Sequence, residues 1–177
     1  ATANASYAGD TNHAGSSDSE NFTIGKAVTT TIVTCTSGPF TYTGSAIEPC
    51  SASVTGVGGL NQVLTVSYSN NTNAGTATAS ASYAETANYL GSSDSKNFTI
   101  GQATSTTTVS CLAGPFVYNG SAQTPCSASY STSDGLSGSL TVSYSNNVNA
   151  GTATASASYA GDANHAGSSD SEDFTID

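Results

Sequence analysis

The amino-acid sequence repeats itself with a period of 76 residues, and this limits the folds open to the chain more than any other feature. The string NFTI, which ends at Ile24, returns with its end at Ile100. Aligning residues 25–100 with residues 101–176 gives 50 identities in 76 positions, with no insertion. The chain therefore holds two full copies, and residues 1–24 match the end of a third.

We expect three parts. Residues 1–25 are the terminal strand pair of a repeat that precedes them or that a partner completes, and residues 26–100 and 101–177 each fold as one repeat. The sequence given then begins partway through a repeat, or with a spare strand pair. Only residues 101–104 separate one copy from the next, with no Pro and no Gly/Ser tract. So short a linker predicts an elongated, fairly stiff rod.

The pattern of each copy predicts an all-β fold with essentially no helix. Apolar and polar side chains alternate in segments such as LTVSY, and no segment has the apolar spacing of a helix. Strands of the first full copy are predicted at 29–35, 40–42, 49–54, 64–68, 76–83 and 95–100. Six or seven short strands in 76 residues are typical of an immunoglobulin-like β-sandwich.

Each copy contains two cysteines, with fourteen residues between them. This spacing differs from the close Cys-x-x-Cys pairs of zinc sites, and a small sandwich with a thin core gains from a covalent link. We predict disulfides Cys35–Cys50 and Cys111–Cys126, because only this pairing gives both copies the same environment. Two reduced, buried thiols in each copy are the alternative. The disulfides predict an oxidising, extracellular location.

Charge and hydropathy exclude two classes of partner. The chain has 12 Asp and Glu against 2 Lys and Arg, and a formal net charge of −10. Nucleic-acid binding needs clustered cations, and no apolar run approaches the roughly 18–20 residues that cross a bilayer. We therefore expect no nucleic-acid partner and no membrane insertion. Neither a signal peptide nor a sorting tail is apparent, which suggests a mature or excised segment.

The chain resembles bacterial immunoglobulin-like repeats, in particular the MBG and group-3 Ig-like modules of large surface and secreted proteins. The resemblance lies in LTVSYSNNTNAGTATASASYA (64–84), SYAGDANHAGSSDSEDFTI (158–176) and the FTYTG turn (40–44). It implies stalks, adhesin shafts and extracellular fibres, with no catalytic residues. The middle copy departs from the pattern, because ETANY (85–89) replaces the GDxNH of the flanking copies.

The hairpin loop between the last two strands of a copy is the sharpest candidate for a ligand site. Oxygen ligands at short spacing can hold Ca²⁺, and the weak candidate ligands are Asp10, Asn12, Asp18, Asp162, Asn164 and Asp170, with Ser16 and Ser168 beside them. The order of an EF-hand is absent, and the middle copy keeps only Asn88 and Asp94. An Asx-type turn, in which these side chains bond nearby amides, is the stronger interpretation. We therefore predict no required cofactor.

Other chemistry has less support. His13 and His165 occupy equivalent loop positions, but nothing specifies a nucleophile or an orienting partner, so we expect no enzyme. A Lys–Asn isopeptide is not expected, because Lys26 and Lys96 are replaced in the last copy. Glycosylation of this Ser- and Thr-rich chain stays open. The tyrosines that end strands favour core packing over a sugar-stacking face.

The favoured function is mechanical: a structural segment of an extracellular array that serves as stalk, adhesin shaft or fibre body, with neighbouring repeats as its partners. Near-identity of the copies argues against a unique site. One alternative is a fibre subunit, a homopolymer joined by strand complementation through residues 1–24. Another is an adhesive module that binds a glycan or a protein, in which case the segments where the copies differ, 54–63 and 130–139, are the place to look.

Overall fold

The chain is all-β. A computed structural model describes all 177 residues, and it contains fifteen strands, one 3-10 turn at Val57–Gly59 and no α-helix. No helix is therefore available to span a membrane. The N-terminal hairpin, residues 1–24, has the strands β1 (Thr2–Tyr7) and β2 (Ser16–Asn21).

The two full copies fold in the same way. Strands of the first are β3 (Thr29–Cys35), β4 (Phe40–Thr41), β5 (Cys50–Gly56), β6 (Leu60–Leu64), β7 (Ser67–Ser69), β8 (Gly75–Tyr83) and β9 (Ser92–Gly101). Strands of the second are β10 (Ser105–Cys111), β11 (Cys126–Thr132), β12 (Ser137–Leu140), β13 (Ser143–Ser145), β14 (Gly151–Tyr159) and β15 (Ser168–Ile176).

Each copy has two sheets. In the first copy the strand orders are β3-β5-β6 and β4-β9-β8-β7, and in the second they are β10-β11-β12 and β13-β14-β15. A single parallel bridge between Phe116 and Ile176 stands where the first copy has β4. β4 pairs with β9 in parallel, all other strand pairs are antiparallel, and corresponding strands keep the same register.

The core of each copy is built from both of its sheets. In the first copy Val33 and Ala52 come from one sheet, and the other sheet contributes Ala77, Ala79, Ala81, Phe98 and Ile100. The corresponding residues of the second copy form an equivalent cluster, made of Val109, Ala128, Ala153, Ala155, Ala157, Phe174 and Ile176. The residues that β8 and β14 contribute to these clusters are all alanines, and they occupy alternate positions along each strand. The period-2 pattern in the sequence therefore marks the buried face.

One predicted strand is divided in the structure. The sequence pattern predicts a single strand at 64–68, but Leu64 ends β6, which pairs with β5, whereas Ser67 begins β7, which pairs with β8. Thr65 and Val66 carry the chain from one sheet to the other. Alternation alone did not reveal this change of sheet, because the side-chain pattern continues through it.

The four cysteines form two disulfides, Cys35–Cys50 and Cys111–Cys126, each within one copy. They join the end of the copy's first strand to the start of β5 or β11. A tyrosine lies against each disulfide strand: the Tyr68 hydroxyl accepts a hydrogen bond from the Cys50 N–H (2.8 Å) and donates one to the Cys50 carbonyl (2.9 Å). The disulfide end of each copy is thus held by covalent and hydrogen bonds together.

The N-terminal hairpin lacks the covering that the other two hairpins have. It matches residues 153–176 at 21 of 24 positions and pairs in the same register. Ile24 is nevertheless 76% exposed, whereas its counterpart Ile100 is 1% exposed. Phe22 is also exposed, because no three-stranded sheet packs on this hairpin. Its apolar face therefore stays open.

We predict that removing one disulfide destabilises its own copy by about 3 kcal/mol, the chain-entropy value for a loop of this length. The bridge closes a separation of 15 residues. The variant Cys35→Ala/Cys50→Ala tests this in denaturant unfolding followed through amide NMR signals of each copy.

The matched control is Cys111→Ala/Cys126→Ala. It should lower the free energy of unfolding of the second copy by a similar amount and leave that of the first copy unchanged. A loss below about 1 kcal/mol in both variants would contradict the expected contribution of loop closure.

Candidate functional site at the junction between the two copies

The linker between the two copies is bonded at each of its four residues. The carbonyl of Gly101, the last residue of β9, accepts a hydrogen bond from the N–H of Tyr42 (2.8 Å). The Gln102 side chain donates to the Asp162 carbonyl (2.8 Å). Ala103 is fully buried and pairs with the 160–166 loop, while the Thr104 carbonyl accepts from the Ser133 N–H (2.9 Å). Each of the four linker residues is therefore held by at least one contact outside the linker.

The pairing of Ala103 is a short parallel bridge to His165. The Ala103 N–H donates to the Asn164 carbonyl (2.9 Å), and the Ala166 N–H donates to the Ala103 carbonyl (2.9 Å). The equivalent bridge in the first copy joins Ala27 to Tyr89. The residues that lead into each copy are thus attached to that copy's own hairpin loop.

A single carboxylate shapes the loop 161–165, which we call the junction loop. An oxygen of Asp162 accepts hydrogen bonds from the backbone N–H groups of Asn164 (2.7 Å) and His165 (2.9 Å). Gly161 has a φ of +75°, and a Cβ there would lie 2.6 Å from the His165 carbonyl oxygen. This backbone conformation favours glycine. The middle copy has Glu85 at that position, and there the hydroxyl of Thr86, in place of a carboxylate, accepts the bond from the Tyr89 N–H (3.1 Å).

Asn164 carries the polar contact between the copies. Its side-chain oxygen accepts a hydrogen bond from the N–H of Ala74 (2.9 Å), and its side-chain nitrogen donates to the side-chain oxygen of Asn73 (3.2 Å). Both partners belong to the turn before β8. One side chain of the second copy thereby satisfies a backbone donor of the first, which fixes orientation better than an apolar contact does.

His165 lies in the middle of the junction with its side chain 8% exposed. Its Nδ1 is 2.8 Å from a carboxylate oxygen of Asp162, and its Nε2 is 3.1 Å from one of Asp134. The ring stands edge-on to the ring of Tyr42, at 5.3 Å between centroids and 83° between planes. We call Tyr42, Asn73 and Ala74 together the junction face.

The two carboxylates raise the pKa of His165 above its ordinary value of 6.5, with the hydrogen bond that His165 donates to Asp162 as the larger cause and the one it donates to Asp134 next. The same contact with His165 lowers the pKa of Asp162. The pKa of Asp134 is lowered first by the hydroxyl of Thr132 and then by His165. The geometry therefore favours an imidazolium that donates a hydrogen bond to a carboxylate on each side.

In the middle copy, different residues make the contact between the hairpin loop and the neighbouring turn. Tyr89 takes the place of histidine, and its hydroxyl donates to the Val57 carbonyl (2.8 Å). Lys26 and Glu85 form an ion pair beside it. The hairpin loop thus contacts the turn between β5 and β6 in the first copy and the equivalent turn between β11 and β12 in the second. These are two of the segments in which the sequences of the copies differ.

The aspartates named as weak candidates for a calcium site hydrogen-bond to backbone N–H groups in different places. Asp10 and Asp162 bond the amides of their own loops. Asp18 bonds the N–H of the next residue (2.9 Å), and Asp170 accepts from the Val109 N–H (2.8 Å), which lies on the edge strand β10. No group of three or more His, Cys, Asp or Glu side chains is arranged to hold a metal ion.

Sequence reasoning did not single out Tyr42, Asn73 or Ala74. The same residue types occur at 118, 149 and 150, but identity between copies covers two thirds of all positions and so marks no contact. Asn164 and His165 were named only as a weak calcium ligand and an isolated histidine. The available signal was the short linker, which implied that something in each copy must touch its neighbour.

Comparisons with known proteins do not identify the chain. No protein-family model matches it, and no curated protein matches it either.

We predict that His165 makes stability depend on pH in a defined direction. Because its pKa is raised on folding, its contribution is fully present below 6.5 and is lost as the pH rises through the raised value. The contributions of Asp162 and Asp134, whose pKa values are lowered, are present above 3.8 and are lost as the pH falls through the lowered values. The difference in thermal midpoint between the wild type and His165→Asn should therefore be greatest at about pH 4–6 and become smaller towards pH 9.

The matched control is His13→Asn. His13 occupies the same loop position, but its side chain is 71% exposed and contacts only Asp10. This variant should follow the wild-type profile, and an equal effect of both substitutions would contradict the assignment to the junction.

Proposed function

We propose that the chain is a structural segment of an extracellular array of bacterial immunoglobulin-like repeats, which acts as a stalk, adhesin shaft or fibre body. The observation that carries this proposal is the junction: all four linker residues are bonded, and the junction loop contacts the junction face of the preceding copy. A connection of this kind holds two repeats at a fixed angle. A spacer that must keep its length needs that property.

The fold supports this proposal. In each copy two sheets share one buried cluster, as in a small β-sandwich. The first strand of each copy is an edge strand, and carboxylates occupy some of its backbone donors: the Val33 N–H donates to Asp94 in the first copy, and the Cys111 N–H donates to Glu172 in the second. Carboxylates on an edge discourage unwanted strand addition. Repeats of this type can be placed in series without lateral aggregation.

The disulfides support an extracellular location for this array. A sandwich of 76 residues buries a limited core, and alanine contributes little volume to it. A covalent link offsets that weakness only where thiols are oxidised, as outside the cytosol. A stalk exposed to shear and proteases gains from the same link.

We predict that the two copies tumble as one body and that Asn164 is required for this. Residual dipolar couplings of residues 25–100 and 101–176 should fit a single alignment tensor in the wild type. In Asn164→Ala the Ala74 N–H loses its partner, which weakens the junction by about 1–2 kcal/mol, so the tensors of the two copies should diverge.

The matched control is Asn12→Ala, which removes the same side chain from the same loop of the N-terminal hairpin, where it makes no contact with another copy. Separate tensors for the two copies in the wild type would overturn the proposal of a stiff spacer. Separate tensors in Asn12→Ala but not in Asn164→Ala would overturn the role of this junction.

A second candidate function is a fibre subunit joined by strand complementation through residues 1–24. The specific observation in its favour is the open apolar face of the N-terminal hairpin, whose counterparts in both full copies are covered by a three-stranded sheet. The register and the turn are already those of the covered hairpins. A sheet from another molecule could therefore pack on it without refolding it.

We expect complementation, if it is the function, to protect the amides of β1 and β2 against hydrogen exchange as the protein concentration rises. Phe22→Ser should abolish this protection, since Phe22 lies on the open face. Ser6→Ala is the matched control, because the counterparts of Ser6 in the full copies point away from the core. Protection that does not change with concentration would count against this candidate.

A further inference from the structure

The contact between the junction loop and the junction face occurs once within the chain, but both of its halves occur again. The loop Gly9–His13 has the same Gly, Asp, Asn and His as the junction loop, and we call it the free junction loop. Tyr118, Asn149 and Ala150 match the three residues of the junction face, and we call them the free junction face. The two lie in different parts of the chain, and neither contacts a neighbouring copy.

The free junction loop already has the conformation that the bound loop has. The carboxylate of Asp10 accepts hydrogen bonds from the N–H of Asn12 (2.8 Å), the N–H of His13 (2.9 Å) and the His13 ring (2.8 Å). Asp162 makes the same three bonds in the junction loop. The difference is exposure: the side chain of His13 is 71% exposed, against 8% for His165.

The free junction face is also preformed. The Tyr118 N–H donates to the Asp177 carbonyl (2.8 Å), as the Tyr42 N–H does to Gly101. The adjoining turn is held by the Gln123 N–H on the Asn147 carbonyl (2.7 Å). Tyr118 is 52% exposed. Neither half of the contact has to reorganise before it can bind, which lowers the cost of association.

We propose that the free junction loop of one chain docks on the free junction face of a second copy, so that chains associate head to tail. The occupant follows from the internal contact, in which the same residue types already bind each other. Loop and face are different surfaces, so the association is heterologous and continues in one direction rather than closing a symmetric dimer. The inference rests on the proposed function, since it extends the repeat-to-repeat contact of the array from within a chain to between chains.

The association is weak by nature. The internal contact has two side-chain hydrogen bonds and one ring contact, and it is helped by the linker, which keeps loop and face at a high effective concentration. Two separate chains lack that help. We therefore expect a dissociation constant of about 1 mM, at the weak end of specific association. Chains held side by side on one support reach such local concentrations.

The test uses the 177-residue chain, labelled with ¹⁵N, from about 20 µM to about 2 mM, which brackets the expected constant. The amide signals of Asn12 and His13 should shift together with those of Tyr118 and Ala150, although the two groups are far apart in sequence. The variants Asn12→Ala/His13→Ala and Tyr118→Ala should each lose the shifts. All three substitutions fall on exposed side chains, so the rest of the spectrum should stay unchanged.

Mixing the two variants separates this heterologous contact from other kinds of association. Labelled Asn12→Ala/His13→Ala keeps its face, and unlabelled Tyr118→Ala keeps its loop, so the mixture should restore the shift at Ala150. The matched control adds unlabelled Asn12→Ala/His13→Ala, which offers no loop and should restore nothing. Because each variant retains one half only, the mixture forms dimers and not longer chains.

Two results would overturn the inference. One is a wild-type spectrum that does not change up to about 2 mM, a concentration at which about half of the loops would be bound at the expected dissociation constant. The other is association that persists in both variants and shifts the signals of Ala3 and Phe22, which would assign it to the apolar face of the N-terminal hairpin. Neither result affects the proposed stiff spacer, because the dipolar couplings of the two full copies are measured on dilute, single chains.

Discussion

The packing of one long hairpin against one three-stranded sheet is the interaction on which the rest of the structure depends. On β8 every inward residue is an alanine, so the two sheets of a copy come close together and the core is thin. Bulk comes from Phe98, against which the rings of Phe40 and Tyr68 stand edge-on at 5.6 and 6.3 Å. A core of this kind buries little apolar surface and so contributes little stability, which gives a reason for the disulfide that links the first two long strands of each copy.

Differences between the two copies are coupled in space. Tyr130 replaces Val54 and stacks on Tyr159 at 4.1 Å, and its cross-strand partner is Gly138, where a Cβ would lie 2.8 Å from the tyrosine ring. In the first copy the partner of Val54 is Gln62, because the smaller side chain leaves room for it. The variable segment therefore reflects packing within each copy, which gives it a structural reason for varying.

The all-β fold and most strand bounds could be predicted from the sequence, because burial with a period of two is a local property that alternating residues display directly. The break between Leu64 and Ser67 could not, since a strand that changes sheets keeps its alternation. The junction could not either. Whether His13 or His165 is buried depends on what packs beside it, and the two lie in loops of almost the same sequence. Long-range contacts of this kind leave no mark on the local pattern.

The few cationic groups of the chain lie where they offset repulsion between carboxylates. With a net charge of −10, repeats placed in series bring carboxylates together, and repulsion opposes a close contact. Each full copy has a positive group beside its hairpin loop: Lys26 pairs with Glu85 in the first, and His165 lies between Asp134 and Asp162 in the second. Lysine keeps its charge across the physiological range, whereas histidine does so only below its pKa. The junction loop therefore loses its neutralising charge when the pH rises through the raised pKa of His165.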